Sequence, residues 1–316
     1  MIQKRSLLVT GANGFIGKSL KRRLAELEFS SCVGAVRSIE SANQPGFIEV
    51  GDVDAFTRWE QVLEGLDTVI HTAARAHIMQ DKALDPLTEY RRVNVEGTLN
   101  LARQAVDAGV RRFVFISSIK VNGEQTRNNL PFTEKDRPAP QDAYGISKLE
   151  AERGLLALSD ESDIEVVIIR PPLVYGPGVK GNFGSMINLV EKGLPLPLGA
   201  VNNKRSLVAL DNLVDLIITC IDHPSAVNQI FLAGDGEDLS ITELLKGLAK
   251  ASGKVSKLVP VPAGFLMFGA KVLGKKAMAQ RLLGSLQVDI SKARNLLNWQ
   301  PPLSVEEGLK RCFSEK

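Results

Sequence analysis

Three closely spaced glycines near the start of the chain constrain its fold more than any other feature. Gly11, Gly14 and Gly17 follow the apolar run Ser6–Thr10 and accompany the start of the helical stretch Phe15–Leu27. In a strand–turn–helix of this kind the first glycine permits a tight turn, the second lets a pyrophosphate approach the backbone, and the third lets helix and strand pack closely. The free N–H groups at the helix start then hold the phosphates. The spacing predicts a dinucleotide-binding turn at the head of a βαβ unit, and a flexible loop is the alternative.

The first half of the chain alternates short apolar runs with longer helical stretches. Nearly continuous apolar strands between helices predict a parallel sheet covered on both faces, and right-handed crossovers make it a doubly wound α/β sheet of the Rossmann type. The predicted strands are Ser6–Thr10, Ser31–Arg37, Phe47–Val50, Thr68–Thr72, Arg112–Ser117 and Glu165–Arg170. The predicted helices are Phe15–Leu27, Ala55–Gly65, Pro86–Ala108 and Asp142–Leu158.

The composition changes after Arg170, because prolines and glycines cluster in the residues that follow it. Helical and short strand stretches then follow to the end, which predicts a smaller C-terminal α/β lobe. Gln229–Ala233 is predicted to return to the large sheet as a strand. We expect a dinucleotide-binding domain over 1–170 plus about 206–234, and a substrate-binding lobe over 171–205 and 235–316.

Composition and charge exclude several classes of protein. Hydrophobic residues make up 44% and charged residues 24% of the 316 residues, as in globular proteins and unlike disordered chains. The net charge is only +3 and aromatic residues make up 5%, so we expect no nucleic-acid partner. The N-terminus lacks the pattern of a secretory signal, and the longest stretch without an ionisable residue, Leu258–Ala270, is shorter than the ~20 residues that span a bilayer. We expect a cytoplasmic protein with no membrane span.

Cysteine and histidine positions argue against a metal site. Cys32, Cys220 and Cys312 lie far apart and show no CxxC spacing, which disfavours both a disulfide framework and a zinc site. The histidines likewise lack the HExxH spacing. His71, at a strand end, is expected to be packed and hydrogen-bonded, and His77 is expected in a loop.

Two polar residues follow the second and third predicted strands. An acidic residue after the second strand would bind the ribose 2′-OH of NAD, but this chain has Arg37 there, which can pair with the 2′-phosphate of NADP. A plain surface arginine at a strand end is an alternative of nearly equal weight. Asp52 follows the next strand and is placed to accept a hydrogen bond from the adenine amino group, unless it only forms a turn.

A serine, a tyrosine and a lysine form the candidate catalytic set. Ser118 follows Ser117 at the end of a strand, and Tyr144 and Lys148 are spaced to share one face of the next helix. A phenol is a poor base at neutral pH, and a nearby ammonium is expected to lower its pKa. The lysine can also hold the nicotinamide ribose, while the serine hydroxyl binds the reacting oxygen. This pattern predicts proton transfer at an alcohol or carbonyl beside a nicotinamide.

These motifs together resemble the extended short-chain dehydrogenase/reductase family, closest to its nucleotide-sugar epimerases, dehydratases and 4-reductases. The resemblance rests on GANGFIG, GDV, Val93–Thr98, the Ser-Ser strand end, YxxxK and RPPLVYGPG, and it covers essentially the whole chain. It implies NAD or NADP as cofactor, a UDP-sugar as substrate bound by the smaller lobe, and hydride transfer at C4 of the sugar. The implied catalytic residues are Ser118, Tyr144 and Lys148. The cofactor-binding set is Gly11, Gly14, Phe15, Ile16, Gly17, Arg37, Asp52, Val53, Ala73, Ala74, Asn94, Ser117, Tyr144, Lys148 and Pro171.

Four positions depart from patterns within the family. The 4,6-dehydratases carry an Asp-Glu pair just after the strand-end serine or threonine, where this chain has Ile119 and Lys120, so dehydration is disfavoured. Lys120 could touch the substrate, although simple exposure is the favoured alternative. Asn122 stands where the family often has tyrosine, and Leu173 stands where many members have asparagine. Both differences concern contacts to the sugar.

Three further residues are expected to bind the diphosphate of the substrate. Asn182 resembles the family asparagine at the start of a helix in the substrate lobe, and Arg205 matches the family's Arg-x5-Asp run. A guanidinium there can clamp phosphate with two hydrogen bonds, with a solvated loop charge as the alternative. Arg281 is a candidate second cation. Asp211, at the end of that run, is expected to be a helix N-cap.

The resemblance implies 4-epimerisation of a UDP-glucose- or UDP-N-acetylhexosamine-type sugar. An NADPH-dependent 4-keto reductase that makes a UDP-deoxy-sugar for surface polysaccharide stays open, and Arg37 favours it slightly. A dinucleotide-binding protein without catalysis is the remaining alternative, although such proteins would be expected to lose Tyr144 or Lys148. The helices Pro86–Ala108 and Asp142–Leu158 resemble the pair that joins subunits in this family, so a homodimer is expected.

Overall fold

A computed structural model describes residues 5–27, 29, 31–38, 45–76, 85–127 and 130–314. The prediction for His77 lies outside these residues. The strands are β1 Ser6–Thr10, β2 Ser31–Val36, β3 Phe47–Glu49, β4 Thr68–His71, β5 Arg112–Ile116, β6 Glu165–Arg170, β7 Leu173–Tyr175, β8 Arg205–Ala209, β9 Gln229–Leu232 and β10 Asp238–Leu239. The α-helices are α1 Phe15–Ala25, α2 Glu60–Leu63, α3 Pro86–Arg91, α4 Thr98–Asp107, α5 Ala143–Asp160, α6 Gly181–Glu191, α7 Leu210–Asp222, α8 Ile241–Ala251, α9 Ala263–Val272, α10 Lys276–Leu283, α11 Ser291–Leu297 and α12 Val305–Arg311.

Seven of the described strands form one sheet in the order β3-β2-β1-β4-β5-β6-β9. Each neighbouring pair in it is parallel. The chain runs outward from β1 in one direction through β2 and β3, and in the other direction from β4 onward. The order therefore reverses between β1 and β4, which is where doubly wound sheets bind their ligands, beyond the carboxyl ends of the strands. The fold class predicted from the sequence is confirmed.

Apolar side chains on both faces of the sheet hold it between two layers of helices. In β1, Leu7 and Val9 belong to a buried cluster with α1 and α7, whereas Leu8 between them belongs to the cluster under α4 and α5. Alternate residues of a strand point to opposite faces, so a continuous apolar strand can serve two cores at once. Burial on both faces fixes the position of the carboxyl edge that carries the candidate site.

A smaller sheet lies in the second half of the chain. It has the order β10-β8-β7, with β7 and β8 parallel and β10 antiparallel to β8. Its core gathers around the stacked rings of Tyr175 and Phe183, with Leu245 of α8 and Leu309 of α12 also buried there. The returning strand predicted at Gln229–Ala233 is confirmed as β9, which pairs with β6. The bounds of the two lobes stay a prediction.

Two helices predicted from the sequence differ in the structure. The prediction over Ala55–Gly65 is wrong, because helix forms only over Glu60–Leu63. Before it, the Thr57 hydroxyl donates to the carbonyl of Asp52 and the Asp54 carboxylate accepts from the Phe56 N–H, and these local bonds compete with helix.

The helix predicted over Pro86–Ala108 is interrupted by a wider turn. A π-helical segment, Arg92–Gly97, separates α3 from α4. In it Gly97 packs so closely on Val53 that a Cβ there would lie 2.8 Å from the Val53 carbonyl oxygen. Such bulges are frequent at functional sites, and this one carries Asn94, a candidate site residue.

Every helix within the described ranges is too short or too polar to cross a membrane. Among the same residues, His, Cys, Asp and Glu side chains form no group of three or more that could hold a metal ion.

Candidate active site

The glycine turn lies between β1 and α1, at the edge where the strand order reverses. Gly11 has a φ of +64°, and a Cβ there would lie 2.8 Å from the Ala73 backbone nitrogen. A Cβ on Gly17 would lie 2.2 Å from the Gly11 carbonyl oxygen. Helix α1 begins after Gly14. Because glycine has no side chain, the first backbone amides of the helix have no side-chain cap from this residue. The turn is a cradle that side chains would fill, and its amides fit the pyrophosphate of a dinucleotide.

Arg37 and Asp52, predicted to bind the adenosine end, are brought together beyond β2 and β3. The Arg37 Nε lies 2.9 Å from Asp52 Oδ1, and both side chains are well exposed. An exposed pair of this kind contributes only about 0–1 kcal/mol, so the guanidinium can turn toward another anion. The neighbouring carboxylate would nevertheless compete with a 2′-phosphate for Arg37.

Asn94 fixes the segment after β4 that was predicted to pack along the cofactor. Its buried side chain accepts a hydrogen bond from the Arg75 N–H at 2.8 Å and donates to the Arg75 carbonyl at 3.1 Å. It also donates to the Ser147 hydroxyl of α5 at 3.0 Å. Asn94 thereby holds the backbone next to Ala73 and Ala74 in place.

The two serines after β5 face different surroundings. The Ser117 hydroxyl is buried and donates to Glu152 Oε1 at 2.5 Å, so a cofactor contact by this residue stays a prediction. The Ser118 hydroxyl accepts from the Lys120 N–H at 3.3 Å and caps a short 3₁₀ turn. The backbone of that turn is held to the strand edge by the Ile119 N–H, which donates to the Pro171 carbonyl at 2.9 Å.

Tyr144 and Lys148 lie on the first turns of α5, which the Asp142 side chain caps by accepting from the Gly145 N–H at 2.7 Å. Lys148 is buried, and its Nζ donates to the Ile116 carbonyl at 2.8 Å. The same nitrogen lies 6.0 Å from the centre of the Tyr144 ring. The predicted pair is thus brought to the carboxyl end of β5, the strand that Ser117 and Ser118 follow.

The expected lowering of the Tyr144 pKa by Lys148 is wrong for this structure. Burial raises the pKa of the Tyr144 phenol, and the nearby Asp142 and Tyr90 act in the same direction. Burial also lowers the pKa of Lys148 to about 7, opposed only in part by Glu152. A lysine with a pKa of about 7 is only about half charged at neutral pH. It stabilises a phenolate less than a permanent ammonium would, so loss of water dominates both groups.

Lys120, expected to be simply exposed, instead packs beside the tyrosine. Its Nζ forms an ion pair with Asp142, lies 3.8 Å from Glu124 Oε1, and sits 5.9 Å from the centre of the Tyr144 ring. The expectation of simple exposure is wrong for Lys120, because only 27% of its side chain is exposed. Its place directly after the Ser-Ser strand end was the available signal. Lys120 therefore belongs to the wall of the site.

The candidate diphosphate residues lie on the side of the smaller lobe. The half-buried Arg205 donates to the carbonyls of Arg281 at 2.8 Å and Gly284 at 3.1 Å, so it is not a solvated loop charge. Burial lowers its pKa. The Arg281 guanidinium lies 3.4 Å from Glu124 Oε2, and Asn182 is exposed at the start of α6. The structure brings Arg205 and Arg281 together through the backbone of α10.

Two single-residue predictions have opposite outcomes. Asp211 is not an N-cap, because α7 begins at Leu210 and Asp211 lies within its first turn, with Ala209 at the N-cap position. His71 is confirmed as a packed histidine, with its ring nitrogens 2.7 Å from the Thr10 hydroxyl and 3.0 Å from the Thr98 hydroxyl. Burial lowers its pKa to about 3, so the ring is neutral.

A buried ion pair behind the serines was missed by the sequence analysis. Arg170 donates to Glu152 Oε1 at 2.9 Å and to Oε2 at 2.5 Å, and both side chains are almost fully buried. Its remaining terminal nitrogen donates to Asn122 at 2.9 Å. Asn122, where the family often has tyrosine, therefore has a structural role. It binds Arg170, which binds Glu152, the hydrogen-bond partner of Ser117.

A doubly wound sheet with a glycine turn at its reversal point and a Ser–Tyr–Lys set at the same edge defines a dinucleotide-binding protein of the short-chain dehydrogenase/reductase class. Residues 7–234 match the model of the NAD dependent epimerase/dehydratase family. The chain belongs to that family. The resemblance stated from the sequence is confirmed, and NAD or NADP as cofactor agrees with the description of the family.

Individual proteins similar to this chain extend the comparison. A UDP-glucose 4-epimerase of Vibrio cholerae is 51% identical over 308 residues, which cover 97% of this chain and 94% of that protein. The UDP-glucuronic acid 4-epimerase from Bacillus cereus, solved with NAD, has a TM-score of 0.78 at 23% identity and 97% coverage of both chains. MoeE5, solved with UDP-glucose and NAD, has a TM-score of 0.76 at 25% identity, covering 97% of this chain and 96% of its own. These structures share the fold described above.

Proposed function

We propose that this chain is an NAD-dependent 4-epimerase of a UDP-hexose or UDP-N-acetylhexosamine-type sugar. The observation that carries the proposal is the bond of Lys148 to the Ile116 carbonyl, which brings Lys148 and the neighbouring Tyr144 to the end of β5, the strand that Ser118 follows. Its similarity to the Vibrio cholerae UDP-glucose 4-epimerase over nearly the full length supports the same activity. Ile119 and Lys120 in place of a carboxylic acid pair argue against dehydration.

The roles of the three residues follow from their chemistry. Tyr144 takes the proton of the C4 hydroxyl and later returns it, while the Ser118 hydroxyl binds the same oxygen and keeps it in reach of the phenol. Lys148, fixed by its bond to Ile116, holds the nicotinamide ribose. NAD⁺, when bound, would accept the hydride from C4 of the sugar and return it to the opposite face, and its positive charge would favour the Tyr144 phenolate against the cost of burial.

The smaller lobe would hold the diphosphate and nucleotide of the substrate. Arg205 is fixed by two carbonyl bonds, which leaves the other donors of its fork for phosphate oxygens. Arg281 and Asn182 lie at the surface of the same lobe and can add charge and hydrogen bonds. Lys120 can reach the sugar side of the substrate from beside Tyr144.

A homodimer through α3, α4 and α5 is part of the proposal. These helices pack against one another at the surface, where Arg91 Nη2 lies 2.6 Å from Glu150 Oε1. The cytoplasmic location expected from the sequence stays a prediction.

The test is incubation of the purified chain with UDP-glucose, UDP-galactose and their N-acetylated forms, with the sugars separated by chromatography. Interconversion of a C4 pair without net change in nicotinamide absorbance supports the epimerase. Stoichiometric oxidation of NADPH by a 4-keto UDP-sugar would instead establish the reductase. Tyr144→Phe should reduce turnover by a factor of about 10²–10⁴ and retain cofactor binding, with Tyr90→Phe as the matched control. Unchanged turnover of Tyr144→Phe would refute the assigned role.

A further inference from the structure

Helices α9 and α10 carry an exposed apolar surface that is not part of the hydrophobic core. No side chain of α9 counts as buried, and its phenylalanines at i and i+3 share one face. Large apolar patches left in water are unusual for proteins that act alone. The α9–α10 surface consists of side chains between 65% and 73% exposed, namely Phe265, Phe268, Val272, Leu273 and Met278.

The helix is nevertheless anchored in the smaller lobe. Leu266 is partly buried against the core that also contains Leu245 and Leu309, and α9 packs on α10. The inward side of α9 is thus occupied by the protein's own core. The exposed phenylalanines on its other side are presented outward on a fixed helix.

The charge around this surface has a single sign. The sequence contains no aspartate or glutamate between Glu243 and Asp289. Lys271 lies at the end of α9, and Lys275 and Lys276 lie at the start of α10, all exposed. The whole chain has a net charge of only +3, so this basic segment is a local concentration and not a property of the overall composition.

Exposed aromatic and aliphatic side chains flanked by lysines have the composition of a helix that lies in the interface of an anionic bilayer. The apolar side chains enter the boundary of the acyl chains, and each lysine near the surface adds attraction to anionic headgroups. A second copy of this chain fits less well, because a two-fold contact through the same surface would set the lysines of one copy against those of the other.

The surface adjoins the candidate substrate site. Helix α10 carries Met278 of the surface and also Arg281, whose backbone binds Arg205 and whose guanidinium approaches Glu124. Gln125 donates to the Gln280 carbonyl at 3.2 Å, which ties the same helix to the larger lobe. A surface held by α10 is therefore held next to the site.

We propose that the α9–α10 surface docks the protein on an anionic lipid bilayer, with the two helices lying in the interface. The proposal does not depend on the proposed function, since it rests on exposure and charge alone. Docking would place the substrate side of the site next to the membrane surface.

The experiment is co-flotation of the full chain with vesicles of phosphatidylcholine alone and of phosphatidylcholine mixed equally with phosphatidylglycerol. The wild-type chain should float with the mixed vesicles and not with the neutral ones, and added salt should weaken its binding. Phe265→Ser combined with Phe268→Ser should lower the partition coefficient about tenfold or more. Lys271→Glu combined with Lys275→Glu should lower it by at least about fivefold for each lysine.

Matched controls lie elsewhere on the chain. Phe56 is 89% exposed outside the α9–α10 surface, and Lys135 is an exposed lysine outside it, so Phe56→Ser and Lys135→Glu should bind as wild type does. All variants should keep the wild-type circular dichroism and urea midpoint. Failure of the wild-type chain to float with mixed vesicles, equal flotation with neutral ones, or wild-type binding by the double phenylalanine variant overturns the proposal. Concentration-dependent dimerisation lost in that variant, without flotation of wild type, would assign the surface to a second copy.

Discussion

The side-chain nitrogen of Lys148 donates a 2.8 Å hydrogen bond to the carbonyl oxygen of Ile116, the last residue of β5. This bond ties the helix that carries Tyr144 directly to the strand that ends at the two serines. The lysine is also buried, and burial lowers its pKa from the ordinary 10.5 to about 7. The bond thus sets the position of Lys148, whereas its burial sets its charge.

The buried Lys148 should make stability depend on pH. Between pH 7 and about 10.5 the unfolded chain keeps a proton on this lysine that the folded chain has lost, so the stability of the folded state rises with pH. The difference in the free energy of unfolding, wild type minus Lys148→Met, should therefore increase with pH across this window, by up to about 1.4 kcal/mol per pH unit. Urea unfolding of both proteins at a series of pH values measures the difference. Lys18→Met, at an exposed position of α1, shows what the loss of any lysine contributes, and a Lys148→Met difference that did not vary with pH would contradict the prediction.

Removing only one member of the Glu152–Arg170 pair should strongly lower the free energy of unfolding. Glu152→Gln leaves the Arg170 guanidinium buried without its balancing charge, which typically costs about 3–5 kcal/mol of unfolding free energy. Replacing both residues by Leu and Met should recover only part of this loss, because it removes the buried charge but leaves the Ser117 hydroxyl and the Asn122 side-chain oxygen without their partners. Urea unfolding of the two variants gives the comparison. A single-variant loss below about 1 kcal/mol would show that the pair is not buried as described.

The sequence predicts those parts of the fold and site whose causes are local. The glycine turn needs particular residues at fixed spacing, and β1 is a continuous apolar run, so the positions of both follow from the order of residues alone. Tyr144 and Lys148 are predicted as a pair because a helical repeat by itself puts them on one face. Each of these features is complete within a few residues of chain.

The remaining features depend on contacts that local patterns do not contain. Glu152 and Arg170 meet across α5 and β6, and nothing near either residue marks it as a partner of the other. The direction of the Tyr144 pKa shift depends on how deeply the ring is buried, which only the packed structure defines. The helix prediction over Ala55–Gly65 was wrong because the Thr57 hydroxyl binds the backbone carbonyl of Asp52. The spacing of apolar residues gives no information about such a bond.

The Arg37–Asp52 pair should set the choice between NAD and NADP. Asp52 lies 2.9 Å from the guanidinium of Arg37 and so places a negative charge beside the residue that we expect to pair with a 2′-phosphate. Asp52→Asn releases Arg37 and removes the repulsion, so the affinity for NADP relative to NAD should rise by about fivefold, which corresponds to about 1 kcal/mol. Fluorescence titration of both cofactors with wild type and variant measures the ratio. Asp54→Asn, two residues further on, is the control, and an unchanged ratio in Asp52→Asn would remove the pair from cofactor selection.

The closest approach in the glycine turn should make Gly17 intolerant of any side chain. A Cβ at this position would lie 2.2 Å from the Gly11 carbonyl oxygen, and the next nearest atoms are also backbone atoms of Gly11 and Ala12, so relief requires the turn to move. Gly17→Ala should therefore lower the free energy of unfolding by about 1–3 kcal/mol and weaken cofactor binding, because the amides of α1 shift with the turn. Gly264→Ala in α9 is the matched control, since no other atom lies within 4 Å of its Cβ position and alanine favours helix. Urea unfolding and cofactor titration of both variants provide the test. Wild-type stability and cofactor affinity in Gly17→Ala would show that the turn does not hold the dinucleotide.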